Sequence, residues 1–64
     1  MRIRELRKAR RITQLKMALD LDMSQNTISR YEREPGIAEL IRIADYFRVS
    51  IDYLVGRTDD PVMH

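Results

Sequence analysis

The three residues Asp22-Met23-Ser24 constrain this chain more than any other stretch. They separate two segments that each carry a helix start signal: Thr13 stands before Gln14 to Leu21, and Ser24 stands before Gln25 to Glu32. A hydroxyl at such a position accepts from the orphan amides of the first turn, so both segments are expected as helices. Asp22 ends the first of them, since aspartate tolerates the left-handed backbone better than most residues with a side chain. Two helices joined so tightly must cross steeply and touch at small side chains. Ala18 falls at that crossing, where a larger residue would push the helices apart. Met17, Leu21, Met23, Ile28 and Tyr31 take the inward positions around it.

The rest of the chain reads as helix too. Ile3, Leu6 and Arg10 follow a helical spacing and predict a first helix near residues 2–10. Pro35-Gly36 punctuates, and Ile37, Leu40, Ile41, Ala44 and Phe47 form the stripe of a fourth, amphipathic helix. Ser50 caps a short fifth piece from Ile51 to Val55, which Gly56 stops. No segment reads as a strand. The fold class is therefore all-α, a compact five-helix bundle over residues 1–56, followed by a polar tail at 57–64 expected to be flexible. A chain of 64 residues suffices for one small domain, which buries only roughly 60% of the surface exposed by its unfolded chain.

Charge divides the molecule. Residues 1–12 hold Arg2, Arg4, Arg7, Lys8, Arg10 and Arg11 against Glu5, a balance of +5. Residues 34–64 hold Arg42, Arg48 and Arg57 against six carboxylates, a balance of −3. The basic end suits a polyanion and the acidic end would repel one, although a basic helix face is also a common solvated surface. Cysteine is absent and no apolar run reaches membrane-spanning length, so a soluble, cytoplasmic protein is expected. The one histidine is terminal His64, and the carboxylates are scattered over helix surfaces. Neither an enzyme nor a metal or cofactor site is expected.

In combination, the stretch TQLKMALDLDMSQNTISRYE followed by LIRIADYF and VSIDYLVG resembles the Cro and phage-repressor type of helix-turn-helix protein, the XRE family. The resemblance covers about residues 2 to 56. It implies a sequence-specific regulator of transcription, a repressor that binds a palindromic operator in double-stranded DNA as a homodimer. It also implies that the third helix lies in the major groove with its N-terminal residues against base edges. Glutamine and asparagine match the N6/N7 edge of adenine, and arginine matches O6/N7 of guanine. Position by position, base reading is carried onto Gln25, Asn26 and Arg30, with Ser29 beside them. Gln14 resembles the family's phosphate clamp, with Thr13, Thr27 and Arg33 as further phosphate contacts. Arg7 and Glu32 match the positions of an ion pair that links the first helix to the end of the recognition helix. Ile51, Tyr53, Leu54 and Val55, in the last helix, are the candidate dimer positions, with the intramolecular core expected to claim some of them.

Three features depart from the family. Asp22 replaces the usual turn glycine, and only Arg33 and Glu34 separate Glu32 from Pro35 where relatives have a longer loop. Leu15 and Leu19 lie one turn apart on the second helix, at positions relatives usually fill with polar residues. They are expected either to be covered by a neighbouring segment or to form a surface for a protein partner, as in an antitoxin-like or adaptor module.

Overall fold

The computed structural model describes residues 1–62; residues 63 and 64, which end the expected tail and include His64, lie outside the described residues. Five helices follow one another: α1 (Ile3–Ala9), α2 (Gln14–Leu21), α3 (Gln25–Arg33), α4 (Ile37–Phe47) and α5 (Ile51–Leu54). Among the described residues there is no strand. Thr13, Ser24 and Ser50 cap α2, α3 and α5, each hydroxyl accepting the amide three residues on, from Lys16, Thr27 and Tyr53 at 3.0–3.1 Å.

Three helices end by one device. Arg11, Asp22 and Arg48 adopt left-handed backbone with φ of 58°, 56° and 56°. The next residue in each case reaches back five positions: Ile12 to the Arg7 carbonyl, Met23 to that of Ala18 and Val49 to that of Ala44, at 2.8–3.0 Å. That bond satisfies an orphan carbonyl and turns an apolar side chain onto the helix it has just left. None of the three is glycine, so each holds backbone strain on the order of 1 kcal/mol, offset by the apolar contact that follows.

The core comprises Ile3, Met17, Ala18, Leu21, Ile28, Ile43, Ala44, Phe47, Val49 and Leu54, with Leu6, Ile12, Met23, Leu40 and the three tyrosines packed against it. Two expectations change here. On α4 the buried residues are Ile43, Ala44 and Phe47, with Leu40 partly buried beside them, while Ile37 and Ile41 are exposed. Ile37 opens the helix beyond the reach of any covering element, so the stripe is rotated from the one beginning at Ile37. Leu54, expected at a dimer surface, is fully buried; a side chain committed to the core has no area left to give a partner.

Several arginines are tied to the fold through backbone carbonyls. Arg10 donates to the Phe47 carbonyl at 2.7 Å and Arg42 to that of Leu21 at 2.7 Å, each satisfying the C-terminus of a helix other than its own. Arg2 donates to the Thr58 carbonyl and to Asp59, and its guanidinium lies 4.6 Å from the centre of the Tyr53 ring. Residues 57–62 thereby meet the body of the domain, with the Ser50 amide bonded to the Pro61 carbonyl and the Arg57 amide to that of Asp52.

Tyr46 ties α4 to α2 by donating to Asp20 at 2.6 Å, and Lys16 holds the other oxygen of that carboxylate at 2.8 Å. The hydrogen bonds from Lys16 and then Tyr46 hold Asp20 below its ordinary carboxyl range. Burial, and then the bond to Asp20, push the Tyr46 phenol up to about 12. The stabilisation carried by the phenol is thus complete below its unfolded value near 10.0 and is lost as pH rises through about 12. Asp20 works in the opposite direction: its contribution is present above the carboxylate range and fades as pH falls through its lowered value. In a phenolate absorbance titration, the step that Tyr46→Phe removes is expected near pH 12; a missing step near 10 would show that the bond to Asp20 does not form in solution.

Candidate functional site

α3 divides into two faces. Ile28 is fully buried and Tyr31 packs against the core, while Gln25, Asn26, Arg30 and Arg33 are exposed and Ser29 is half-buried. Two helical turns therefore present amides and guanidiniums outward in one continuous strip. The side-chain hydrogen bonds that fix α3 run instead through Ser24, Thr27, Tyr31 and Glu32. Gln25, Asn26 and Ser29 take no part in them and keep their donors and acceptors free among the described residues. Arg30 forms no ion pair with Glu34 among those residues; its guanidinium lies over the neighbouring Tyr31 ring, 5.3 Å from the centre. The Tyr31 hydroxyl turns inward to Glu39 at 3.2 Å rather than toward solvent or a ligand.

The rigidity of that strip comes from its two ends. At the start, Ser24 and Thr27 share a hydroxyl–hydroxyl bond of 2.7 Å, which pins the first turn. Thr27, one of the expected phosphate contacts, thus meets a neighbour through its hydroxyl and remains half-exposed. At the far end Arg7 donates through Nε to Glu32 at 2.6 Å and through Nη1 to the Ile12 carbonyl at 2.8 Å. The two charged side chains are only 9% and 5% exposed. This ion pair joins α1 to α3, and Gln14 Nε2 reaches the second Glu32 oxygen at 3.4 Å. Gln14, the start of α2, is thereby drawn beside the end of α3.

Sequence reasoning placed these groups in one region but missed a member. Arg4 of α1 lines the same cleft as Gln14, Ser29, Glu32 and Arg33, an open depression of about 360 Å³. Of the basic residues in the first twelve, Arg2, Arg7 and Arg10 are spent on internal bonds. Arg4, Lys8 and Arg11 remain exposed, with Arg4 and Lys8 one turn apart on α1. Thr13, at the other side of Gln14, uses its hydroxyl to cap α2.

Leu15 and Leu19, on the outer face of α2, are 55% and 71% exposed, with no segment among the described residues covering them. Ile51 is exposed, whereas Tyr53 and Val55 are half-buried. Among the described residues no group of histidine and carboxylate side chains is gathered as a metal site, and no helix is long and apolar enough to cross a membrane.

Comparison with known proteins places these features in context. Residues 3–54 match the family described as Helix-turn-helix. Over 63 residues the chain is 36% identical to a Bacillus subtilis (strain 168) protein named as an uncharacterized HTH-type transcriptional regulator, YobD, covering 94% of this chain and 56% of that protein. Over 61 residues it is 33% identical to the HTH-type transcriptional regulator ImmR of the same organism, covering 91% and 48% respectively. The chain thus spans about half the length of these curated relatives. No solved structure gives a significant match.

Proposed function

The chain belongs to the XRE-type helix-turn-helix family, with α2 and α3 as the two helices of the motif, and from that membership we propose that it is a sequence-specific, double-stranded-DNA-binding regulator of transcription. The observation that carries this reading is the outer strip of α3: Gln25, Asn26 and Arg30 exposed on a helix held at both ends by Ser24–Thr27 and Arg7–Glu32. With α3 in the major groove, the amides read adenine edges and Arg30 reads guanine, with Ser29 at their flank. Gln14, Thr13, Thr27 and Arg33 lie along the sugar-phosphate backbone and set the register. One unit of this size reads too few base pairs for strong specificity, so two copies act together on a palindrome with half-sites about one helical turn apart. Ile51 is the exposed apolar residue of α5 available to join them, flanked by the outer parts of Tyr53 and Val55. We read it as a repressor that acts in the cytoplasm by occupying promoter DNA.

The division of labour between α2 and α3 has a direct test. Arg30→Ala is expected to relax base preference at one position by about 1–3 kcal/mol, whereas Gln14→Ala weakens every sequence about equally. Fluorescence anisotropy on a preferred duplex and its single-base variants separates the two. Uniform loss from both variants would contradict the assignment.

A second reading rests on Leu15 and Leu19, whose exposure suits an adaptor or antitoxin-like module with a protein partner on α2. It predicts weak DNA binding and a stable complex with a second protein.

A further inference from the structure

Two surface features are left unused by the reading of α3, and they suit one another. The first is a groove of about 430 Å³ between α4, α5 and the segment at 57–62. Buried Ala44 and Val49 give it an apolar floor, and the partly exposed Ile41 and Ile51 give it apolar walls. Asp45, Asp52 and Asp60 stand around it, and no cationic side chain lines it. Asp60 accepts the Val62 amide, whereas the carboxylates of Asp45 and Asp52 have no partner among the described residues. The second feature is the outer face of α2, where Leu15 and Leu19 protrude one turn apart. We infer that the groove seats Leu15 and Leu19 of a second copy of this chain, joining copies head to tail.

Charge selects this occupant. Pairing groove against groove would bring three carboxylates of each copy together, and like charges facing one another oppose association. A head-to-tail contact sets the groove against a surface of the other sign. Exposed Lys16 lies between Leu15 and Leu19, and exposed Lys8 and Arg11 precede α2. Asp20 is held by Lys16 and Tyr46, so it opposes the contact little; Asp22, just past α2, is exposed without such a partner. Ile37 and Ile41 form another exposed pair one turn apart, but Ile41 already lines the groove and cannot enter it. The contact is heterologous: the end copies keep a free groove or a free leucine pair, so association runs on beyond two copies. Seated leucines also cover Ile51, so this contact and the proposed pairing through α5 exclude one another at a given groove.

The test uses variants at two exposed positions: Leu19→Glu spoils the leucine pair, and Ile41→Glu spoils the groove. Fluorescently labelled Ile41→Glu, which keeps its leucines, is titrated with unlabelled Leu19→Glu, which keeps its groove, and its anisotropy is expected to rise. Titrated instead with unlabelled Ile41→Glu, it meets no intact groove, and binding is expected to be weaker by roughly tenfold or more. Any pairing through α5 contributes about equally to both titrations and cancels in the comparison. In sedimentation velocity the wild-type chain grows beyond a dimer as concentration rises, and neither variant alone does so. Replacing Asp45 and Asp52 together by asparagine in the Leu19→Glu protein leaves the apolar walls in place, weakens the mixed contact and reduces its sensitivity to salt. Far-UV circular dichroism confirms that every variant is folded. Equal affinity in the two titrations would overturn the head-to-tail contact, as would a wild-type chain that never exceeds a dimer. Unchanged affinity after the asparagine replacements would remove the charge complementarity that selects a second copy. No DNA is present, so each of these results leaves the reading of α3 standing.

Discussion

Replacing Glu32 with alanine is expected to destabilise the domain by about 3–5 kcal/mol, because it leaves the Arg7 guanidinium buried without its counter-charge. Arg7 is 9% exposed in its side chain and cannot swing into water without lifting α1 from the core, where Ile3 on the same helix is fully buried. Its remaining bond, to the Ile12 carbonyl, neutralises nothing. A chain of this length has a total stability of about 3–10 kcal/mol, so the variant sits near the folding limit. Urea denaturation followed by circular dichroism measures the effect. The paired replacement Arg7→Met/Glu32→Leu is expected to recover much of the loss, since two apolar side chains of similar reach carry no desolvation penalty. That double variant separates the electrostatic cause from simple loss of packing. If Glu32→Ala cost less than about 1 kcal/mol, the pair would be a surface contact and not the link between α1 and α3.

Phe47→Ala has an expected cost of similar size, about 3–5 kcal/mol, from transfer and cavity effects together. The ring is fully buried at the end of α4, and the Arg10 guanidinium lies over it, 5.4 Å from its centre. The same guanidinium bonds the Phe47 carbonyl, which alanine would retain. Arg10 would therefore keep its hydrogen bond and lose its aromatic contact as the void opens beside it. Phe47→Leu refills most of that volume and is expected to lose clearly less. Equal losses from the two variants would mean that the aromatic face, rather than the filled volume, sets the effect.

These two sites also show how far residue patterns reach. The caps at Thr13, Ser24 and Ser50 were legible because a hydroxyl before a periodic segment has few other uses, and all three helices start there. The short link at Asp22 carried the crossing of α2 and α3 for the same local reason. Left-handed closures at Arg11 and Arg48 were not legible, since arginine carries no preference for that backbone. The apolar residue that follows each, Ile12 and Val49, is the signal that the same device is in use. The rotation of the α4 stripe was hidden because Ile37 and Ile41 satisfy helical spacing as well as Ile43 does. Only the packed neighbours choose between them. Which of the dimer candidates the core would claim was hidden for a related reason: hydrophobicity does not distinguish a core residue such as Leu54 from a partner surface.

In the site, the outward strip of α3 was readable from residue type and spacing, and Arg7 and Glu32 were named from resemblance. Arg4 was not. Net charge counts arginines without saying which are consumed by helix carbonyls and which remain free, and that division exists only in the folded chain. Arg2, Arg7, Arg10 and Arg42 donate to backbone carbonyls of the fold; Arg4 and Arg33, both exposed, make no such bond among the described residues.

The central claim is that the outer strip of α3 reads a specific DNA sequence. Selection of bound fragments from sheared genomic DNA at near-physiological salt, followed by sequencing, tests it most directly. The account predicts recovery of one short palindrome whose half-sites lie about one helical turn apart. Fragments recovered without any common sequence, and released together as salt rises, would contradict it.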